Sequence, residues 1–207
     1  MRKGLRKLAA VVLTAAMALS IGTPAFAATN TDEMQSNVNK ELYITETTTL
    51  GEIIRHTEPE KYVQMPDEMK EKFNATNALD YFKASEANAT SVASTQATRG
   101  IEIITGSLVV TTSAVTTNSF FYNSTVMMTA ECPYIFLETI IYEYDTGKIV
   151  DSDSTNEFDS TTANVNGTVS GLKSGRAYKV VAFGDVIYPE GFVGDSIGSQ
   201  TKYVYTK

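Results

Sequence analysis

The sequence contains no tryptophan, one cysteine and one histidine. A single cysteine cannot form an intramolecular disulfide, so the chain must be stabilised by its core. A zinc site needs three or four ligands, and Cys132 with His56 cannot supply them. The two residues also lie far apart in the sequence, which disfavours a Cys–His or Ser–His–Asp catalytic group. We expect Cys132 to be a small buried residue on the inward face of a strand.

Long hydrophobic runs are also missing, except near the N-terminus. There, four basic residues precede a largely apolar run of 14 residues, Leu8 to Ile21. As a helix this run would span only about 21 Å, too short for a hydrocarbon core of ~30 Å. Small residues at Ala25 and Ala27 complete the pattern of a secretory signal peptide that is cleaved after Ala27. We therefore predict a signal peptide at 1–27 and a secreted mature chain without a membrane span, typical of a Gram-positive exporter.

Basic residues are scarce relative to acidic ones, with 17 against 24 and a net charge of −7. Four of the basic residues and none of the acidic ones lie in the predicted leader. The mature chain would therefore hold 13 basic and 24 acidic residues, for a net charge of −11. This balance disfavours binding to nucleic acid or to an anionic membrane surface. No nucleotide-binding loop is present either, so the sequence predicts no organic cofactor.

Composition divides the mature chain into four consecutive parts. The first part is polar, and we predict a disordered arm over 28–48. The second has helical periodicity and predicts a short helical segment over 49–83. Small polar residues predict an Ala/Ser/Thr-rich linker over 84–100, and apolar residues at every second position predict a β-sandwich domain over 101–207.

The helical segment carries two signals for helix starts. Thr49 and Glu52 fit a capping box, which predicts a helix of about two turns. Pro66 and the acids after it predict a second helix over roughly 66–83. The apolar stripe of this second helix is thin, so we expect it to need another surface to pack on.

The linker ends at Arg99, which a trypsin-like protease could cleave. One hypothesis is therefore a processed exoprotein whose N-terminal part is a pro-region released at this point. The alternative is an ordinary linker end.

The C-terminal part predicts a mainly β fold. Residues alternate over Phe120–Cys132, and a long β-rich run follows over Tyr134–Tyr144. Turn signals recur about every 8 to 12 residues and separate about seven strands. This number and spacing predict an immunoglobulin-like β-sandwich, preceded by the short helical segment.

One stretch predicts a corner of the sandwich. Leu172-Lys-Ser-Gly175-Arg-Ala-Tyr178-Lys-Val-Val-Ala resembles the L-x-P-G-x-x-Y-x-V-x-A segment of fibronectin type III domains. The resemblance implies that Leu172 is buried, that Gly175 turns the chain, and that the Tyr178 hydroxyl binds the preceding corner. Ser174 stands where the family usually has proline, and the buried tryptophan of the family is missing.

The acidic, Ser/Thr-rich residues 151–162 are predicted to form a loop. Asp151, Asp153 and Asp159 fall among oxygen-bearing residues at alternate positions, as in a calcium loop. An EF-hand would also need glycine at its sixth position and glutamate at its twelfth, where this sequence has asparagine and threonine. The pattern predicts at most a weak Ca²⁺ site, and otherwise a solvated loop.

Two aromatic sets are candidate binding residues. Tyr188 and Phe192 lie in the connection between the last two strands. Tyr142 and Tyr144 share one face of the long Tyr134–Tyr144 run, and the opposite face is expected to fill the sandwich core. Their face must be covered by the helical segment, contact a partner, or lie at the strand ends.

The sequence therefore favours a secreted, non-enzymatic binding protein whose partner is an extracellular protein or a wall glycan. The alternative is a small secreted hydrolase that uses carboxylate catalysis. An enzyme should show clustered carboxylates with shifted pKa values in a concave pocket. A binding protein should show a flat or convex aromatic patch.

Overall fold

The computed structural model describes residues 41–87, 102–194 and 197–207, all within one compact unit, Asn39–Lys207. In these ranges four helices precede seven strands. The helices are α1 (Leu50–Thr57), α2 (Pro59–Gln64), α3 (Asp67–Ala75) and α4 (Ala78–Ala87). The strands are β1 (Glu102–Ile104), β2 (Gly106–Ser113), β3 (Phe120–Glu143), β4 (Ile149–Val169), β5 (Ala177–Ile187), β6 (Phe192–Gly194) and β7 (Ser199–Tyr205). The predicted signal peptide with Ala25 and Ala27, and most of the predicted linker, lie outside the described residues.

The start of α1 has the predicted capping box. The Glu52 N–H donates to the Thr49 hydroxyl at 3.1 Å, and the Thr49 N–H donates to the Glu52 carboxylate at 2.9 Å. Each side chain thereby satisfies a backbone donor that the first helical turn leaves without a partner.

The prediction of one helix over 66–83 is wrong, because the chain breaks at Asn77 and forms α3 and α4. The Asn77 side chain accepts the Asp80 N–H at 3.0 Å and so begins α4. The break is held from the other side by the Ala78 N–H, which donates to the Thr48 carbonyl at 2.9 Å. Asparagine competes with the helix for backbone donors, which explains the new start at this position.

The predicted disordered arm is wrong for its last part. Ile44 is buried, and its N–H donates to the Gly147 carbonyl at 2.8 Å. Tyr43 forms an antiparallel bridge with Lys148. Residues 41–48 therefore run beside the turn that follows β3, while 28–40 lie outside the described residues.

The sheet is organised around β3. Its first half lies between β2 and β4, and its second half lies between β4 and β5, with β7 beyond β5. All of these pairs are antiparallel. The register between β3 and β4 shifts between Met127 and Cys132, just before Pro133. Because proline has no N–H to donate to a neighbouring strand, it is tolerated where the pairing is irregular and the sheet bends. The bent sheet forms the two layers of a β-sandwich, and β1 and β6 pair in parallel beside it.

The acidic segment 151–162 is part of β4 and not a loop. Its residues pair with β3 in register, from Asp151 opposite Ile141 to Phe158 opposite Tyr134. In this region β4 is the edge strand of its layer in the described part of the chain. Polar and charged residues are common at edges because they oppose pairing with a further strand, which explains the composition.

The predicted corner is confirmed. Leu172 and Tyr178 are buried, and the Lys173 N–H donates to the Tyr178 hydroxyl at 2.9 Å. Gly175 has a φ of +69°, a left-handed conformation that glycine adopts without a steric cost. The corner connects β4 to β5 and sets where β5 enters the sheet.

We expect the substitution Tyr178→Phe to lower the free energy of unfolding by about 1–3 kcal/mol, because the Lys173 N–H loses its acceptor in a partly buried place. Urea unfolding followed by circular dichroism measures this difference. The control Tyr205→Phe removes a hydroxyl from a side chain that is 69% exposed and should change stability by less than about 0.5 kcal/mol. Equal effects of the two variants would contradict a structural role for the corner hydroxyl.

Two hydrophobic cores lie on the two faces of the β3–β5 layer. The inner core fills the sandwich and includes Leu137, Val180 and fully buried Cys132, as predicted for this cysteine. The outer core lies between the sheet and the helices and includes Phe73, Phe136 and other residues of the helical segment. The helices therefore cover one face of the sheet.

Candidate functional site

The aromatic face of β3 is divided between the helices and solvent. Tyr142 is 4% exposed and packs in the outer core, so it cannot serve as a surface contact for a partner. Tyr144, two residues later, is 53% exposed. Helices contact this face at Phe136, and cover by the helical segment was one of the three predicted possibilities. Tyr142 lies in the same outer core, which also contains Ile44, and Tyr144 is left at the surface.

Tyr144 belongs to a cluster with residues of β5 and β7. Its ring lies 6.0 Å from the ring of Tyr203, with an interplanar angle of 64°. The Lys179 Nζ lies 5.2 Å from the centre of the Tyr144 ring and 5.0 Å from that of Tyr203. One ammonium group is therefore attracted to two aromatic rings at once.

The strand register extends this cluster by one more row. Lys179 pairs with Tyr203, and Ala177 pairs with Tyr205. The Tyr144 N–H donates to the Ala177 carbonyl at 3.0 Å, so Tyr144, just after the end of β3, lies beside Ala177 on β5 and Tyr205 on β7. The small Ala177 side chain therefore lies between two tyrosines. We call the five residues the tyrosine surface: Tyr144, Ala177, Lys179, Tyr203 and Tyr205.

The tyrosine surface is both rigid and exposed. Tyr203 is 45% exposed and Tyr205 is 69% exposed. Their backbones are held by the antiparallel pairing of β5 and β7, and that of Tyr144 by its hydrogen bond to β5. Tyrosine offers a large apolar ring and a polar hydroxyl with little conformational entropy to lose on binding. This arrangement fits a binding surface.

The other two candidate residues lie at the opposite end of β5. Tyr188 and Phe192 are partly buried and pack against the inner core. Tyr188 also lines a cavity of about 300 Å³ between α3 and the end of β5. The cavity wall contains an ion pair between Lys72 and Asp185, with 2.6 Å from Nζ to Oδ2. Phe192 is not among the residues that line it.

The candidate calcium ligands lie along one extended strand. Asp151 and Asp153 have the same orientation on β4, whereas exposed Asp159 lies beyond the pairing with Phe158. Burial raises the pKa of the Asp151 carboxyl. In the described ranges no three His, Cys, Asp or Glu side chains are close enough to hold a metal ion.

Sequence reasoning missed the most unusual ionisable group, Glu138. It is fully buried in the middle of β3, on the face that carries Phe136 and the helices. The Thr57 hydroxyl donates to its Oε1 at 2.7 Å, and no described residue donates to its Oε2. Burial raises the pKa of Glu138 to about 8, and Glu58 adds a smaller effect in the same direction.

The carboxylates with raised pKa values do not line the cavity. Glu138 and half-buried Glu58 lie beneath or beside α1, and Asp151 lies on the edge strand. The residues that line the cavity are Glu68, Met69, Lys72, Asp185, Val186, Ile187, Tyr188 and Gly194. In the described part of the chain, the carboxyls whose pKa is raised thus lie apart from this cavity. No helix in the described ranges is long and apolar enough to cross a membrane.

No protein-family model and no curated protein matches this chain. Among solved structures it is similar to the sensor domain of the anti-sigma factor RsgI4 of Pseudobacteroides cellulosolvens. That match has 17% identity, covers 49% of this chain and 88% of that chain, and has a TM-score of 0.34. The chain is also similar to Bacteroides uniformis beta-glucuronidase 2, at 14% identity and a TM-score of 0.32. This second match covers 48% of the chain and 13% of the enzyme. Neither similarity carries information on activity.

Proposed function

We propose that this chain is an exported, non-enzymatic binding protein. In this proposal an immunoglobulin-like, fibronectin type III-like sandwich presents the tyrosine surface to an extracellular glycan. The observation that carries the proposal is the exposed cluster of Tyr144, Lys179 and Tyr203. The faces of tyrosine rings can contact the apolar C–H faces of sugar rings, and their hydroxyls can exchange hydrogen bonds with sugar hydroxyls.

The shape of the surface supports a glycan more than a folded protein. Three tyrosines and one lysine form a small area around Ala177. A stable protein–protein contact usually needs about 800 Å² on each partner, and such contacts surround their aromatic anchors with many further residues. A polymer chain, in contrast, can be held by a few rings spaced along two or three strands. A protein partner remains the other outcome of the test.

We expect the double variant Tyr144→Ala/Tyr203→Ala to weaken binding to cell-envelope material of the producing organism by at least about 30-fold. Loss of two aromatic anchors typically costs about 2 kcal/mol or more, which corresponds to this factor. Sedimentation of the protein with insoluble envelope, over a range of protein concentrations, measures the half-saturation point.

The control Phe158→Ala removes another aromatic side chain, 62% exposed, which lies on β4 opposite Tyr134, away from the tyrosine surface. It should bind as the unchanged protein does, and circular dichroism should show that all variants are folded. Protease treatment of the envelope separates the two partner classes, because a glycan partner survives it. Full binding by the double variant would refute the proposal.

A further inference from the structure

A row of buried polar side chains lies on the outer face of the sheet, beneath the helices. Ser154 is directly opposite Glu138 in the pairing of β4 with β3, and Asn156 is directly opposite Phe136. Residues that are directly opposite in an antiparallel pair lie on one face. The Glu138 Oε2, the Ser154 Oγ and both polar atoms of the Asn156 side chain are shielded from solvent, without a hydrogen-bond partner in the described part of the chain. We call Glu138, Ser154 and Asn156 the polar row.

The cover of the polar row is a short helix with little apolar burial. Helix α2 has six residues, none of which is buried, and no side chain caps its first turn. The Lys61 ammonium group donates to the Ser154 carbonyl, which places α2 beside the polar row. Segments with few buried apolar contacts open at the lowest free energy, and polar groups that are buried without partners favour an arrangement that hydrates them.

Thr57, the last residue of α1, connects the polar row to the start of α2. The Thr57 Oγ1 lies 2.7 Å from the Glu138 Oε1 and 2.9 Å from the Ile53 carbonyl oxygen. A hydroxyl has one proton, so it cannot make a full hydrogen bond to both oxygens. A neutral Glu138 carboxyl can instead donate to the Thr57 oxygen, which leaves the Thr57 proton for Ile53. Ionisation of Glu138 therefore removes one of two hydrogen bonds where α2 begins.

The charged surroundings of Glu138 also favour its neutral form. Two carboxylates and one ammonium group act on it from the helices and from β4: Glu58, Asp153 and Lys61. Asp185 of β5 lies on the same face but is paired with Lys72 of α3 at 2.6 Å. Burial raises the pKa of Glu138 to about 8, and the two carboxylates add to this effect. An arrangement that admits water therefore binds the proton of Glu138 less tightly than the closed one.

We infer that α2, together with Glu58 before it, is a pH-sensitive flap that opens over the polar row when Glu138 loses its proton. In the open form, water reaches the carboxylate, hydroxyl and amide groups that the closed form leaves unpaired. Opening becomes more frequent as the pH rises towards about 8 and changes little beyond it, because both forms are then ionised. This inference goes beyond the proposed glycan binding and does not depend on it.

Labelling of Ser154→Cys with iodoacetamide measures how often the flap opens. Native Cys132 is fully buried in the inner core and reports unfolding of the whole fold in the same molecule. Each rate is divided by that of an unfolded peptide at the same pH, so that ionisation of the thiol cancels. We expect the introduced thiol to react at least about 10-fold faster than Cys132, with a rate that rises at least about 10-fold from pH 6 to pH 8.5. Urea below the unfolding transition should accelerate the labelling of Cys132 alone.

Glu138→Gln, combined with Ser154→Cys, keeps a neutral polar group in the row and should abolish the rise with pH. Glu131→Gln removes an exposed carboxylate from β3 and should retain the rise. Asn156→Cys is a second reporter in the polar row and should behave as Ser154→Cys does. Circular dichroism should show that each variant is folded.

The same urea dependence for the introduced thiol and for Cys132 would overturn the inference, because the polar row would then be exposed only when the whole fold unfolds. A rise with pH that persists in Glu138→Gln would also overturn it, because another group would then control the opening. Fast labelling that does not change between pH 6 and pH 8.5 would show that α2 does not close over the polar row.

Discussion

Replacement of Phe73 with alanine is expected to lower the free energy of unfolding by about 3–5 kcal/mol. Phe73 lies on α3, is 1% exposed and contacts two rings of the sheet edge-on. The ring centres are 5.6 Å from Phe136 and 6.2 Å from Phe183. Alanine would leave a cavity between helix and sheet, because the two rigid neighbouring rings cannot collapse to fill it. Domains are stable by about 5–15 kcal/mol, so the expected loss is a large fraction of the total.

Urea unfolding followed by far-ultraviolet circular dichroism measures this effect, and Val63→Ala serves as its control. Val63 lies on α2 of the same helical layer but is 57% exposed, so its truncation should cost less than about 0.5 kcal/mol. A loss below 1 kcal/mol in the Phe73 variant would show that the helices contribute little to the fold. A second unfolding transition would show that the helical layer opens separately from the sandwich.

The packing of Phe73 bears on the hypothesis of a released pro-region. Cleavage after Arg99 would cut the chain between α4 and β1, and the helices would still cover Phe136 and Phe183. Removal of the helices would expose this whole aromatic face to water, at roughly 25 cal/mol for each Å² of apolar surface. Processing at Arg99 would therefore need a further step that separates the two pieces.

The sequence was sufficient to predict features that depend on local chemistry. The Thr49–Glu52 capping box and the Tyr178 corner each involve a few residues close together in the chain. Alternation also placed Cys132 in the core and Tyr144 on the face opposite Leu137. Such patterns predict on which face of its own strand a side chain lies.

The remaining features depend on which elements meet, and local patterns do not contain this information. The composition of residues 151–162 is typical of a loop, but an edge strand accepts polar residues because one of its sides faces water. Tyr142 and Tyr144 lie on the same face by periodicity, and only the extent of the outer core separates the buried ring from the exposed one. The meeting of Tyr144 with Tyr203 depends on the register of β5 and β7.

The burial of Glu138 also depends on which elements meet, and the local sequence does not predict it. It lies between Phe136 and Ile140 in a strand that is apolar on both faces, so alternation does not tell whether water reaches it. The structure places α1 over it, with Thr57 as its hydrogen-bond donor. Its nearby charged groups are Glu58 and Lys61 on the helices and Asp153 on β4. Glu138 and Glu58 disfavour each other's negative charge, while Lys61 partly offsets this effect.

We expect the protein to lose a few kcal/mol of stability between about pH 4.5 and pH 8 because of Glu138. Burial raises the pKa of its carboxyl from 4.5 to about 8 in the folded state. The folded chain therefore holds a proton that the unfolded chain releases in this range, so unfolding becomes more favourable as the pH rises. Each unit of pKa difference corresponds to about 1.4 kcal/mol, so about 5 kcal/mol is the upper bound. The contribution is complete below pH 4.5 and is lost as the pH passes 8.

Comparison of the unchanged protein with Glu138→Gln, by urea unfolding at pH 5 and at pH 8.5, measures this contribution. The amide has nearly the shape of the neutral carboxyl and can still accept the Thr57 hydroxyl. The free energy of unfolding of Glu138→Gln should therefore fall less between pH 5 and pH 8.5, because the contribution of the Glu138 carboxyl is missing. The raised pKa of Asp151 gives a slope of the same sign in both proteins, so it cancels in the difference. The difference includes the mutual effect of Glu138 and Glu58, because removal of the Glu138 charge also removes its repulsion of Glu58. Exposed Glu131 is the matched control, and Glu131→Gln should keep the full slope. The same slope in Glu138→Gln as in the unchanged protein would show that Glu138 is charged and solvated at neutral pH, and the helices would then not seal this part of the sheet.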